Sequence, residues 1–248
     1  MQFSQDKMEV YLLLQSSPKP DIQSEQFPIC KRSIQRNMPS KYKLTYFGLR
    51  GRAELIRLTL SLAGQEFEDK RVGYDEFVKI RNDLPQNQLP ILEFDGQVLC
   101  QSMTIVRYLA REYDLYGENN LQSATVDTVL DTVVDIYSDF VQMYYEQDAA
   151  RKEEAAKRLN DTSMPRYLSI LGKILRQNND GNGWIVGSKI TVADLAYCML
   201  FDDLIGGQYG AGFAEMFLAD EKLKTHFDRV KAQKQIADWI AKRPKTNR

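Results

Sequence analysis

The sequence has few of the residues that build disulfide or metal-bound frameworks. Its 248 residues include three cysteines, Cys30, Cys100 and Cys198, and a single histidine. A sparse, odd set of widely spaced cysteines argues against a disulfide framework and a zinc site, and it favours a reducing compartment such as the cytosol. No nucleophile motif stands near His226, so we expect this residue to lie on the surface of a helix rather than in a Ser-His or Cys-His mechanism.

Long apolar runs and an excess of charge of one sign are also missing. No apolar run approaches the length that spans a bilayer. The 33 basic and 34 acidic residues give a net charge of −1, which excludes a general attraction to nucleic acid or to an anionic membrane. Hydrophobic content of 43% and charged content of 27% are typical of a soluble globular protein with room for one or two domains.

The first 39 residues differ in composition from the rest. Residues 10–14 form their only apolar run, which is too short for the core of a signal peptide. Pro18, Pro20 and Pro28 interrupt the remaining polar stretch. We expect residues 1–39 to be a mostly disordered extension, with a targeting or anchoring arm as the alternative.

The most informative stretch is KLTYFGLRGRAELIR, residues 43–57. Residues 42–47 are expected to form a strand, two glycines bracket a turn, and the apolar residues that follow recur at helical spacing. Tyr46 therefore lies where a strand gives way to a loop and a helix N-terminus, a place that favours anions. Its phenol and the charge of Arg52 could together hold a nucleophilic anion.

Both residues also have plainer interpretations. Tyr46 could be a core tyrosine at a strand end, with its hydroxyl bonded to a carbonyl group. Arg52 could form a surface ion pair with Glu54, which would contribute little to stability.

Downstream patterns predict an α/β unit. Residues 66–72 have a weak strand pattern, and residues 75–82 form a short helical or irregular piece. A hairpin with an Asp-Gly turn follows over 91–100. Ser102 is expected to cap the next helix.

After residue 117 strand signals fade and helical spacing dominates. Val126, Val133 and Val141 belong to one expected apolar helix face, and residues 191–194 resemble a capping box. We therefore predict an α/β domain over residues 40–117 and an all-α domain over residues 121–248.

These motifs resemble those of a known family. YKLTYFGLRGRAE at residues 42–54 resembles the opening of sigma-class glutathione S-transferases, the class that includes haematopoietic prostaglandin D synthase. The nematode nu-class enzymes are close relatives. The resemblance spans residues 42–248 and continues through QLPILEFDG, Gln101-Ser102, RYLA, TVAD and the Trp239-Ile240 and Arg243-Pro244 pairs.

The resemblance implies the cytosolic glutathione transferase fold, with a thioredoxin-like first domain, in a cytoplasmic homodimer. It implies a detoxifying enzyme that joins glutathione, its co-substrate, to hydrophobic electrophiles, with no metal, nucleic acid or membrane partner. Tyr46 would donate to the glutathione thiol, whose free pKa is about 8.5, and Arg52 would support the thiolate. A glutathione-dependent prostaglandin D isomerase and a non-catalytic protein like the S-crystallins are the alternatives.

The resemblance also implies how glutathione is held. Leu89 and Pro90 match the family's cis-proline loop, whose backbone pairs with the cysteinyl backbone; an ordinary trans proline is the alternative. Gln101 and Ser102 would hold the γ-glutamyl carboxylate at a helix start. Phe77 and Gln88 stand where the family has a tryptophan and a lysine, which weakens the expected binding.

Four aspartates repeat at intervals of four residues: Asp127, Asp131, Asp135 and Asp139. By resemblance, Asp135 reaches across a dimer toward the γ-glutamyl amine, with Asp131 as its substitute. The alternative is a helix face neutralised by nearby cations.

The electrophile pocket is the part that the sequence specifies least. Tyr137 and Tyr145 are candidate wall positions. Gln142 replaces the tryptophan that walls the family's prostaglandin pocket, which argues against the isomerase activity.

Overall fold

The computed structural model describes residues 41–205 and 211–246. The expected extension at residues 1–39 lies outside the described residues. A four-stranded sheet opens the described part, in the order β2-β1-β3-β4. Its strands are β1 (Tyr42–Phe47), β2 (Phe67–Val72), β3 (Ile91–Phe94) and β4 (Gln97–Cys100).

The sheet is mixed, as the sequence predicted. β1 runs parallel to β2, with Tyr46 opposite Arg71, and antiparallel to β3. β3 and β4 form the expected hairpin. Tyr42 and Leu44 are fully buried in the inner strand β1, and their burial fixes the register of the strand. Tyr46 therefore lies near the C-terminal end of β1, beside the turn that follows.

Helices make up most of the other described residues. Those of the first part are α1 (Glu54–Leu62), α2 (Tyr74–Ile80) and α3 (Ser102–Glu112). The remainder comprises α4 (Asn120–Tyr145), α5 (Ala149–Arg158), α6 (Met164–Gln177), α7 (Val192–Ile205), α8 (Ala211–Leu218), α9 (Glu221–Lys231) and α10 (Lys234–Lys242). The predicted α/β-plus-all-α class is confirmed, while the domain limits at 40–117 and 121–248 stay predictions. Among the described helices, none is long and apolar enough to cross a membrane.

Two details of helix patterning differ from the prediction. Val126 and Val133 of α4 are buried and Ile136 joins them in the core, but Val141 is exposed, because it lies beside the buried stripe that recurs at three- and four-residue spacing. Ser102 does not cap α3: it is the first helical residue, and Gln101 occupies the cap position without a side-chain capping bond.

The prediction that His226 lies on the surface is wrong. His226 is fully buried, its Nε2 lies 2.8 Å from Asp194 Oδ1, and its ring packs edge-on against Tyr197. It shares one face of α9 with Leu223 and Phe227, at the three- and four-residue spacing that a helix turns toward a core. Asp194 also accepts the backbone N–H of Thr191, 2.7 Å away, which is one half of the predicted capping box; the Thr191 hydroxyl donates to the same carboxylate and does not accept the Asp194 N–H.

A buried ion network joins α1 and strand β2 to the last helix, α10. Glu54, 1% exposed, accepts hydrogen bonds of 2.9 Å from Trp239 Nε1 and from Arg243 Nη1. Arg57 is fully buried and bonds to Glu54 on one side and to Asp69 Oδ1, 2.9 Å away, on the other. Since each charge has a partner of opposite sign, the network can be buried without the large cost of an isolated ion.

Candidate functional site

Tyr46 and the turn that follows it form the centre of the site. The backbone N–H of Arg52 donates to the Tyr46 hydroxyl oxygen at 3.3 Å, which leaves the phenol proton available to another acceptor. Gly51 takes a φ of 41°, and a side chain there would lie 3.0 Å from the Tyr46 hydroxyl and 2.5 Å from Leu49. A glycine is therefore required for the turn to approach the tyrosine this closely.

The surroundings of Tyr46 keep its phenol protonated at neutral pH. Burial raises the pKa of Tyr46, and the N–H and guanidinium of Arg52, with the charge of Arg57, oppose this only in part. The predicted Arg52–Glu54 ion pair is not formed, since Glu54 is held by Arg57 and Arg243. Within the described residues the Arg52 guanidinium forms no ion pair, so it remains available to an anion.

A cleft of about 390 Å³ lies beside this turn. It gathers most of the predicted glutathione-binding residues and three further ones. Its walls are formed by Phe47, Arg52, Phe77, Gln86, Gln88, Leu89, Pro90, Cys100, Gln101 and Ser102. The Leu89–Pro90 peptide bond is cis, as the resemblance implied.

The start of α3 forms the end of the cleft. Gln101 has a φ of 67°, and its side chain donates to Gln86 Oε1 at 2.7 Å. Ser102 follows as the first helical residue and is 7% exposed. The first N–H groups of a helix lack intrahelical partners and carry partial positive charge, so this end suits a carboxylate.

The substituted family positions also lie on the cleft. Phe77 packs edge-on against Phe47, with ring centroids 5.1 Å apart, and offers an apolar surface without a donor. Gln88 is exposed at the rim and contributes an amide where a charge was expected.

A smaller, mostly apolar cavity adjoins the cleft. Its lining residues are Gly51, Arg52, Ser102, Met103, Val134, Tyr137 and Met199. Arg52 and Ser102 border both spaces, so the cleft and the cavity meet beside the Tyr46 turn. Of the two predicted wall tyrosines, Tyr137 lines this cavity, whereas Tyr145 is exposed at the end of α4.

The acidic stripe of α4 is neutralised only in part, so the plainer interpretation holds for two of its four aspartates. Asp127 and Asp131 both bind Arg107, and Asp139 accepts a 3.2 Å hydrogen bond from Tyr167. Asp135 is exposed and, among the described residues, forms no ion pair. It does not line the cleft of its own chain.

Sequence reasoning missed the charges behind the turn. Arg50 bonds to Asp202 Oδ2 at 3.1 Å and lies 3.2 Å from Asp203 Oδ1, both on α7. These residues are more than 150 positions apart, and no local pattern connects them. The thiol of Cys198 on the same helix is inert, because burial raises its pKa to about 12.

The cis-proline loop and the start of α3 flank one cleft beside a mixed sheet, and an all-helical part follows. This arrangement defines the cytosolic glutathione transferase fold. Models described as the N-terminal and C-terminal domains of glutathione S-transferase match residues 42–111 and 134–243. The chain belongs to the glutathione S-transferase family and is an enzyme of that family by sequence and fold.

Individual relatives support this assignment. S-crystallin SL11 of Nototodarus sloanii is 37% identical over 210 residues, covering 84% of this chain and 99% of that protein. The hematopoietic prostaglandin D synthase of Gallus gallus is 38% identical over 209 residues, with the same coverage of 84% and 99%. A solved nu-class enzyme from Haemonchus contortus superposes with a TM-score of 0.74 at 32% identity, over 84% of this chain and 99% of that one.

Proposed function

We propose that this chain binds glutathione in the cleft, activates its thiol through Tyr46, and transfers the thiolate to apolar electrophiles held in the adjoining cavity. The observation that carries the proposal is that cleft and cavity meet at Arg52 and Ser102, with the Tyr46 hydroxyl 3.3 Å from the Arg52 nitrogen. A thiol placed at this junction would contact both a phenol donor and the electrophile.

The roles of the residues follow from their chemistry. The protonated Tyr46 phenol would donate to the sulfur and favour its charged form, and Arg52 would add positive charge nearby. The cysteinyl backbone would pair with Leu89, and the γ-glutamyl carboxylate would bind at Gln101 and Ser102. No metal is required for these steps.

A homodimer of sigma or nu type is part of the proposal. Asp135 is exposed and has no cationic partner within residues 41–205 and 211–246, which suits a residue that binds the γ-glutamyl amine of a partner's glutathione. We further propose a cytosolic role in the detoxification of electrophiles, which cell fractionation and product analysis would test.

Two other functions have some support. The chicken prostaglandin D synthase is among the relatives, but Gln142, at the position of that class's pocket tryptophan, is exposed and does not line the cavity. An S-crystallin is similarly related, but the intact set of Tyr46, Arg52 and Ser102 favours catalysis.

The decisive experiment is Tyr46→Phe, which removes one hydroxyl and keeps the ring. We expect the pKa of bound glutathione to rise by about one unit or more and turnover at neutral pH to fall about tenfold or more. Glutathione affinity should change little, because most contacts lie elsewhere in the cleft. The ultraviolet absorbance of the thiolate, followed against pH, measures the shift without a choice of electrophile.

Tyr113→Phe is the matched control, since the Tyr113 hydroxyl bonds to Gln65 at 3.1 Å and Tyr113 does not line the cleft. It should titrate like the unmodified protein. If Tyr46→Phe also superimposes on that curve, Tyr46 is a core tyrosine and the mechanism is wrong.

A further inference from the structure

One buried carboxylate, that of Asp203, contacts both a residue that lines the apolar cavity and a residue of the turn after β1. Asp203 on α7 is 5% exposed. Its Oδ2 accepts a hydrogen bond from the Tyr137 hydroxyl, and its Oδ1 lies 3.2 Å from Arg50 Nη2. Tyr137 comes from α4 and Arg50 from the turn after β1, so three separate elements meet at this carboxylate.

The bond to Tyr137 fixes a wall of the apolar cavity. Tyr137 lines that cavity together with the apolar side chains of Met103, Val134 and Met199. A phenol whose hydroxyl is held by an ionised acceptor keeps a single orientation, because charge-assisted hydrogen bonds are stronger than neutral ones. The shape of the cavity on this side therefore depends on Asp203.

The ion pair with Arg50 restrains the turn that carries Arg52. Arg50 is also held by Asp202, and its carbonyl oxygen accepts a 3.2 Å hydrogen bond from Arg57 Nη1. The next residue is Gly51, which packs against the Tyr46 hydroxyl. With its side chain and carbonyl group both fixed, Arg50 leaves the turn little freedom to move away from Tyr46.

We propose that Asp203 is a positioning residue that links the electrophile cavity to the turn that carries Arg52. It does so through its hydrogen bond with Tyr137 and its ion pair with Arg50. It would set how well an apolar electrophile fits, without touching glutathione. The proposal rests on the proposed function, because it assigns the cavity to the electrophile.

The charge on Asp203 is sensitive to pH. The groups that face it are Arg50 on the turn, Tyr137 on α4, Asp202 on its own helix and Glu54 on α1. Burial raises the pKa of Asp203 to about 6, and Arg50 and Tyr137 oppose this only in part. A weakly acidic medium would therefore protonate Asp203 and weaken its ion pair with Arg50.

Steady-state kinetics with 1-chloro-2,4-dinitrobenzene as the electrophile test the tie to Tyr137. Tyr137→Phe and Asp203→Leu should each raise the KM for the electrophile about three- to tenfold, the factor for one lost hydrogen bond, while the glutathione Kd stays unchanged. The double variant should be no worse than the single ones, because both remove the same bond. Asp203→Asn should restore most of the affinity, since its carbonyl oxygen can still accept from Tyr137.

Asp202→Asn is the matched control, because Asp202 binds Arg50 without contacting Tyr137, and its electrophile KM should stay unchanged. An unaltered KM in both Tyr137→Phe and Asp203→Leu, or effects that simply add, would overturn the proposal. Tyr137→Phe tests it even if Asp203→Leu fails to fold.

A second measurement does not depend on turnover. In the unmodified protein the backbone amide resonances of Arg52 and Tyr137 should titrate with one shared midpoint near the pKa of Asp203. The shared titration should vanish in Asp203→Asn and persist in Asp202→Asn. Independent midpoints would overturn the proposed link through Asp203. A failure to bind glutathione would count against the proposed function alone, and this titration would then still test the role of Asp203.

Discussion

The cleft and the apolar cavity are built in different ways, although they share Arg52 and Ser102. The cleft comes from residues 47–102, a short continuous part of the chain, and its polar end is formed by local backbone geometry. The cavity draws on the Tyr46 turn, α3, α4 and α7, and its tyrosine is fixed by an acid 66 residues away in sequence. Under the proposed function, the part that would recognise the constant co-substrate is local, and the part that would face variable electrophiles depends on long-range packing.

The largest effect should come from breaking the ion network that joins both regions. Glu54→Ala removes the buried carboxylate that Arg57, Arg243 and the Trp239 indole share, and leaves Arg57 with Asp69 alone and Arg243 with Asp202 alone. We expect a loss of about 3–5 kcal/mol in the free energy of unfolding. Urea denaturation measures this loss. Both the cleft and the cavity should be disturbed, so the glutathione Kd and the electrophile KM should rise together.

Glu93→Ala is the control for that variant. Glu93 pairs with Lys43 at 2.8 Å, but both side chains are about one-third exposed. Its removal should cost less than about 1 kcal/mol. Equal losses in the two variants would mean that the buried network does not hold the regions together.

The next effect concerns the stability of the cavity side against pH. A carboxyl with a raised folded-state pKa contributes stability below its unfolded pKa near 3.8 and loses it as pH rises through about 6. Asp203→Asn lacks this loss. Its stability relative to the unmodified protein should therefore increase between pH 5 and pH 8, by roughly 1.4 kcal/mol.

Asp202→Asn should behave in the opposite way. Burial raises the pKa of Asp202, but Arg243 and Lys231 outweigh it and hold that pKa below its usual value. The stability from Asp202 is present above pH 4 and is lost only at lower pH, so the variant should be less stable than the unmodified protein at both pH 5 and pH 8. Melting temperatures at the two pH values compare the variants, and parallel curves would contradict the assignment.

On the cleft side, Asp135→Ala should weaken glutathione binding about three- to tenfold, the factor for one ordinary hydrogen bond. The turnover number should change less. Asp131→Ala is the control, since Arg107 already engages that carboxylate. Titration calorimetry measures both affinities, and an unchanged Kd in Asp135→Ala would remove this residue from the site.

The smallest effect should come from Phe77→Trp, which supplies the indole N–H that the family's tryptophan offers. We expect glutathione to bind about threefold more tightly, with an unchanged electrophile KM. Tyr74→Trp, on the same helix but exposed and outside the cleft wall, should have no effect. If the two variants bind glutathione equally, the missing donor is unimportant.

The elements around the cleft could be predicted because their signals are local. Alternation gave β1, the Asp-Gly turn gave the hairpin, and helical spacing gave α1 and α3. Two local inferences still failed. Ser102 looked like a cap because serine favours that position, but the positive φ of Gln101 places the cap one residue earlier. His226 looked exposed because its polarity outweighed its place on the buried face of α9.

The sequence by itself determined the order of strands and helices, the junction at which Tyr46 and Arg52 lie, and the candidate residues of the cleft, because each depends on residues close together in the chain. Only the tertiary structure decided which two of the four aspartates of α4 pair with Arg107, which tyrosine lines the cavity, and that Asp203 contacts Arg50 and Tyr137. Those outcomes depend on distances between helices that are remote in sequence. Burial then sets the charge of a group such as Asp203, which no spacing of residues encodes.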